Sequence, residues 1–249
     1  MRFVALLIAL LFSALPAMAA PSFPALTGRV VDDAHILSEQ TKSDLDQKLA
    51  GLEAKNSRQL VVVTLPSLQG YEISDYGYQL GRAWGIGQAK LNNGVLFIIA
   101  PNERKVRIEV GYGLEPILTD ALSELIIQQA VFPRFRSGDF NGGTEAGVAA
   151  LIQQLSLDPS AAEAKAAAAA QQMKNRGDSG ANPLSVLLII LFVFIALSRV
   201  FRGFGFWPLL FLGGMGGGRG YGGYDGGGGG GWSGGGGGSF GGGGASGSW

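Results

Sequence analysis

Five oxygen-bearing side chains stand where the sequence turns from one segment to the next. Asp32 and Asp33 are adjacent, Asn93 belongs to an Asn92-Asn93-Gly94 turn, Glu115 follows Gly111-Tyr112-Gly113-Leu114, and Asp120 precedes an apolar stretch. Carboxylates and a side-chain amide are the ligand types of a hard cation such as Ca²⁺ or Mg²⁺. Loops at strand ends in a helix-flanked sheet converge on a rim, which would bring the five together. Each also has a purely structural use, because Asp caps helices and forms Asx-turns and Asn-Gly is a turn dipeptide. The chain has no EF-hand pattern, so a cation site would be assembled from distant segments.

Other chemistry is narrowed by composition. The chain has no cysteine and a single histidine, His35. That removes a cysteine nucleophile and a zinc site with several histidines, so hydrolysis of a phosphate ester would require a metal ion and aspartate. His35 beside Asp32 and Asp33 has acid–base potential, yet a lone histidine opening a helix is more often a partly buried packing residue. Arg104 and Arg107 could grip a phosphate, but Lys105, Arg107 and Glu109 alternate as a solvated strand face does. Gly111-Tyr112-Gly113 lacks the third glycine of a dinucleotide fingerprint, because Pro116 occupies that position, and reads as a tight turn with glycine at positive φ. The two Gly-x-Ser-x-Gly matches around Ser233 and Ser239 lie in glycine-rich tail without a strand-turn-helix context. No organic cofactor is expected. Lys+Arg 19 balance Asp+Glu 19, which gives no reason to expect a nucleic-acid partner.

These residues are positioned by one folded segment, 27–157. Ser38 caps a helix whose Leu45, Leu49 and Leu52 share a face, and Leu60 to Leu65 is a buried strand ending at Pro66. Ser74 or Asp75 opens a second helix with Tyr76, Leu80 and Trp84, closed by Gly85. Val95 to Ala100 and the alternating Lys105 to Val110, joined by Pro101-Asn102-Glu103-Arg104, form an antiparallel hairpin. Thr119 or Asp120 caps a helix interrupted by Pro133, and Thr144 caps a last one with Val148, Leu151, Ile152 and Leu155. This order predicts a small sheet with helices on both faces.

The flanks set location. Arg2, the apolar stretch from Phe3 to Leu15, Pro16 and Ala17-Met18-Ala19 make 1–19 a cleavable signal peptide. The alanine-rich stretch 161–174 is a helical spacer without large apolar side chains, not expected to pack into the core. The run 183–201 approaches the length of a transmembrane helix, with Arg199 and Arg202 at its end. A shorter apolar patch at 204–212 is broken by Gly205 and Pro208 and suits a membrane interface. Segment 213–249 is glycine punctuated by Tyr221, Tyr224, Trp232, Phe240 and Trp249, a composition expected to be disordered.

Three ordered motifs carry a resemblance. They are Thr27-Gly28-Arg29-Val30-Val31-Asp32-Asp33-Ala34 with Ile36-Leu37-Ser38, then Asn92-Asn93-Gly94-Val95-Leu96, then Arg107 to Glu115 with Leu118-Thr119-Asp120. Together they resemble the TPM-domain family, which joins a thylakoid-lumen phosphatase, a photosystem II repair protein and a modulator of acetylcholine receptors. Bacterial members resemble this chain in layout too, with a leader, a span and a glycine-rich tail closing in a pattern like Ser246-Gly247-Ser248-Trp249. The resemblance implies a Rossmann-like α/β/α sandwich, and it implies calcium binding, phosphatase activity or partner assembly as alternatives. Function is therefore expected to be that of a membrane-anchored, non-catalytic, partner-binding module outside the cytoplasm, on the periplasmic or extracellular face, with an envelope protein as partner. The alternative is a metal-dependent extracytoplasmic phosphatase.

Overall fold

A computed structural model describes residues 20–178, 188, 190–192 and 240–249. The leader 1–19, most of the run 183–201 and the segment 213–239 lie outside the described residues. Among the described residues no helix is long and apolar enough to cross a membrane.

A five-stranded mixed sheet carries the fold, in the order β1-β2-β3-β4-β5. Its strands are β1 (Val30–Asp32), β2 (Gln59–Thr64), β3 (Gly94–Ala100), β4 (Lys105–Gly111) and β5 (Phe240–Ser248). The first three run parallel, whereas β4 and β5 each pair antiparallel with their neighbour. Helix α1 (Glu39–Asn56) begins at Ser38, whose side chain accepts from the Thr41 N–H, and α2 (Ile73–Trp84) stops at Gly85 in the left-handed conformation. The hairpin has the expected pairing, Ala100 opposite Lys105.

Central β3 is buried along its whole length, as its continuous apolar run requires. Its alternate residues face two layers. Ile98 lies under α2, where a Cβ on Gly77 would sit 2.6 Å from its Cδ1. Phe97 faces the other way, toward Gly147 of helix α5 (Phe140–Leu155). Helices therefore cover both faces of a mixed α/β fold.

Three local expectations are corrected. The helix through Pro133 continues past it instead of stopping. Helix α3 (Asp120–Ile126) passes through a π-turn (Ile127–Val131) into α4 (Phe132–Phe135), because proline has no N–H for the preceding turn and the wider turn absorbs the missing bond. Asp139, not Thr144, caps α5, accepting from Gly142 N–H at 2.8 Å; Thr144 is buried inside the helix and donates to the Phe140 carbonyl. The alanine spacer belongs to helix α6 (Pro159–Asp178), and its first turns do pack: Ala162, Ala166 and Ala169 form a buried stripe. Small side chains let that helix approach closely enough for buried Gln154 to donate to the Ala162 carbonyl at 3.0 Å.

The largest correction concerns the tail. Segment Phe240–Ser248, expected to be disordered, is strand β5. Composition alone gives glycine too little surface to bury, but an existing strand edge supplies a full ladder of main-chain partners.

Candidate functional site

Strand β4 has two faces of unlike character. Val106, Ile108 and Val110 point into one layer, and Arg107 and Glu109 point into the other, where both are buried. The solvated face expected for Arg107 and Glu109 does not exist, because α2 and β5 enclose it. Gly77 makes room there, since a Cβ on it would lie 3.3 Å from Arg107 Cδ.

Arg107 is the hub of this enclosure. Its Nε donates to Glu109 Oε2, one terminal nitrogen donates to Ser246 Oγ at 2.7 Å, and the other donates to the Gly242 carbonyl at 2.9 Å. Burial pushes the Glu109 carboxyl above the ordinary glutamate range, and the neighbouring Arg107 charge opposes that rise only in part. Among the described residues the other carboxyl oxygen of Glu109 has no hydrogen-bond partner, which raises the cost of its charge.

The occupant of the edge is read at several points. Phe240 is 1% exposed and packs in one layer with Leu80, Ile98 and Tyr76. Gly244 N–H donates to Asp120 Oδ1 at 2.7 Å. Its φ of +120° excludes ordinary side chains, and a Cβ there would run into the Ile108 carbonyl. On the opposite layer Trp249 meets Phe135 edge-on at 4.8 Å between ring centres, with Phe132 at 6.3 Å and Phe140 at 6.2 Å.

The five sequence-derived metal ligands are divided by the sheet. Asp32 and Asp33 stand at the carboxyl end of β1, beside Thr64. Asn93, Glu115 and Asp120 belong to the other rim, where β3 begins and β4 ends. Strands of this length hold the rims roughly 20 Å apart, so one ion cannot join them. Asp32 is already engaged: Oδ1 accepts from Ile36 N–H at 3.1 Å and Thr64 Oγ–H at 2.5 Å, and Oδ2 accepts from Leu37 N–H at 3.1 Å. Asn93 is likewise spent, accepting from Gln88 N–H at 2.8 Å and donating to the Ser57 carbonyl at 2.6 Å. Glu115 lies against the tail, with a Cβ on Gly243 falling 2.7 Å from its Oε1. Among the described residues, no three His, Cys, Asp or Glu side chains gather closely enough to hold a metal ion. The residue set therefore does not fit one resident cation.

Asp33, exposed as Asp120 also is, lies beside a cavity of about 250 Å³ lined also by Ser22, Ser67, Gln69 and Tyr76. Burial and the Asp33 charge push the Tyr76 hydroxyl up to about 12, and that hydroxyl donates to the Ser22 carbonyl at 3.0 Å. His35 is exposed in a left-handed turn at φ 53°, not packed as expected. Gly111 and Gly113 have no positive φ; they are glycines because a Cβ would strike the Asn92 and Leu91 carbonyls.

The TPM-domain model matches residues 30–154, which covers β1 to α5. The chain belongs to the TPM-domain family. This TPM domain is similar to the N-terminal domain of a Porphyromonas protein (P. gingivalis) solved by NMR, with 38% identity, 52% of this chain and 82% of that chain covered, and a TM-score of 0.49. It is also similar to the N-terminal domain of a Corynebacterium glutamicum protein, at 21% identity, 57% and 90% coverage and a TM-score of 0.43. A protein of the psychrophile Bizionia argentinensis shows 18% identity, 48% and 81% coverage and a TM-score of 0.43. A search of curated proteins found no match. The family match stops before β5, and sequence reasoning missed the site there. The signal it offered was the pair Phe240 and Trp249 bracketing a run of residues small enough to lie on a strand edge.

Proposed function

We propose that this TPM domain is a partner-binding accessory module of the cell envelope, with no catalytic step of its own. The observation that supports it is the edge of β4. That edge holds an extended peptide by a main-chain ladder, and it grips side chains at Phe240, Ser246 and Trp249. Strand addition of this kind draws affinity from the ladder and specificity from the flanking pockets. An envelope protein offering such a strand is the partner this surface suits. The test is a labelled peptide of sequence 240–249 titrated into the full chain carrying Phe240→Ala and Trp249→Ala. Saturable binding is expected, and a flat titration sinks the reading.

In the same reading the apolar run 183–201 anchors the protein, and 1–19 exports it. Segment 240–249 shares a sheet with β4, so it belongs on the domain's side of any membrane. The chain has no cysteine, so single cysteines at Ser22 and Ser248 can be compared in intact cells with an impermeant maleimide. Both label together if the topology is right; labelling at Ser248 only after lysis overturns it.

A metal-dependent phosphatase is the second reading, and Asp33 beside its cavity is what favours it. Calcium or magnesium would there be bound by Asp33 with oxygens brought by the substrate, not by the five residues together. Phosphatase assays with each cation on the parent and on Asp33→Asn test it; activity lost in the variant would favour this reading.

A further inference from the structure

We propose that the β4 edge is a recognition groove whose ligand is segment 240–249 of a second copy of this chain, so that neighbouring copies exchange strands. This rests on the strand-addition reading above and names its partner.

The groove is built for this one sequence. Phe240 fits over Gly81, where a Cβ would be 3.0 Å from its ring. Gly244 is demanded by its φ of +120° and by the Asp120 bond. Ser246 is read by Arg107, and Gly247 passes under Phe132, where a Cβ would lie 2.6 Å from Cζ. Trp249 enters the Phe132, Phe135 and Phe140 cluster, and its N–H donates to the Arg104 carbonyl at 3.3 Å. A strand that satisfies all of these points is carried by every copy.

The groove also has strong reason to be filled. Without β5, Arg107 keeps only Glu109 and β4 becomes an open edge with an ion pair beneath it. A filled groove makes the same contacts whether the strand comes from its own chain or a neighbour, as in any strand swap. Concentration and reach then decide. Past the run 183–201, residues 202–239 lead to β5, and at ~3.4 Å each they reach at most about 130 Å. Anchoring through 183–201 would confine copies to a plane and raise the local concentration of foreign strands. The tether does not restrict a strand to its own domain.

Register supplies the test, because Lys105 lies opposite Ser248. Facing residues on antiparallel strands sit within disulfide reach. One full-length chain carries Lys105→Cys, another carries Ser248→Cys with a different tag, and both are expressed together in membranes. Strand exchange gives a disulfide-linked pair bearing both tags, reduced to background when Gly244→Val is added to the Ser248→Cys chain. A single chain with both cysteines is the companion measurement. If it closes internally while the mixed pair never forms, the exchange is overturned and strand addition survives. If neither disulfide forms, both fail.

Discussion

Arg107 and Ser246, 139 residues apart in sequence, are joined by a 2.7 Å hydrogen bond across the outermost pair of strands. The bond lets an arginine stay buried at 5% exposure, because β5 provides two of the acceptors its guanidinium needs. It also makes the last described residues of the chain part of the domain's stability.

Removing the anchors of β5 should therefore lower the melting temperature of the whole domain. Phe240→Ala vacates a fully buried site and should cost about 3–4 kcal/mol, and Trp249→Ala, from a half-buried one, about 2 kcal/mol. Thermal melts followed by circular dichroism check this. If the domain melts unchanged in both variants, β5 is not part of the cooperative unit.

Two glycines in the same strand should respond differently to alanine. Gly242 has a φ of +81° but open space at its Cβ position, so the cost should be about 1 kcal/mol of backbone strain. Gly244→Ala adds a collision with the Ile108 carbonyl and should expel the strand. Amide exchange reads the outcome: protection along β4 should survive the first substitution and collapse in the second.

The buried pair makes a stability prediction with a definite sign in pH. Arg107→Met leaves the Glu109 charge uncompensated and should destabilise by about 3–5 kcal/mol at neutral pH, as breaking a buried pair does. Glu109 has a folded-state pKa raised by burial, so its protonated form is favoured by folding. Its contribution is fully present below the ordinary glutamate range and is lost as pH rises through the raised value. In Arg107→Met the opposing charge is gone, so the loss of stability should shrink on acidification. A deficit independent of pH would contradict the assignment.

Tyr76 offers a spectroscopic handle. Absorbance titration should show one tyrosine ionising at about 12, absent in Tyr76→Phe. Folding favours the neutral phenol, so this group's contribution holds below its ordinary value near 10 and is lost as pH climbs toward 12.

Asp32 and Asp33 should separate cleanly. Asp32→Ala removes the acceptors for Ile36, Leu37 and Thr64 and should cost about 2 kcal/mol. Asp33→Asn, on an exposed side chain, should leave the melt unchanged. If calcium raises the melting temperature of the parent and Asp33→Asn abolishes that rise, the cation reading gains its first support.

Much of this protein is determined by local sequence. Ser38, Gly85 and the apolar runs of β2 and β3 fix helix ends and buried strands because caps and continuous hydrophobic stretches act within a few residues. The family is legible too, in three motifs spaced through residues 27–120. What the sequence could not decide is which carboxylates meet and which charged face is buried. Asp32 and Asp120 look alike as helix-start acids, but opposite rims of a sheet hold them apart, and rim membership depends on strand direction. Lys105, Arg107 and Glu109 alternate as a wet strand face does, and the packing of α2 and β5 is what buries Arg107 and Glu109. Glycine-rich sequence has no fold of its own; it becomes a strand when a distant edge supplies hydrogen-bond partners and its missing side chains let two backbones and a ring cluster close around it.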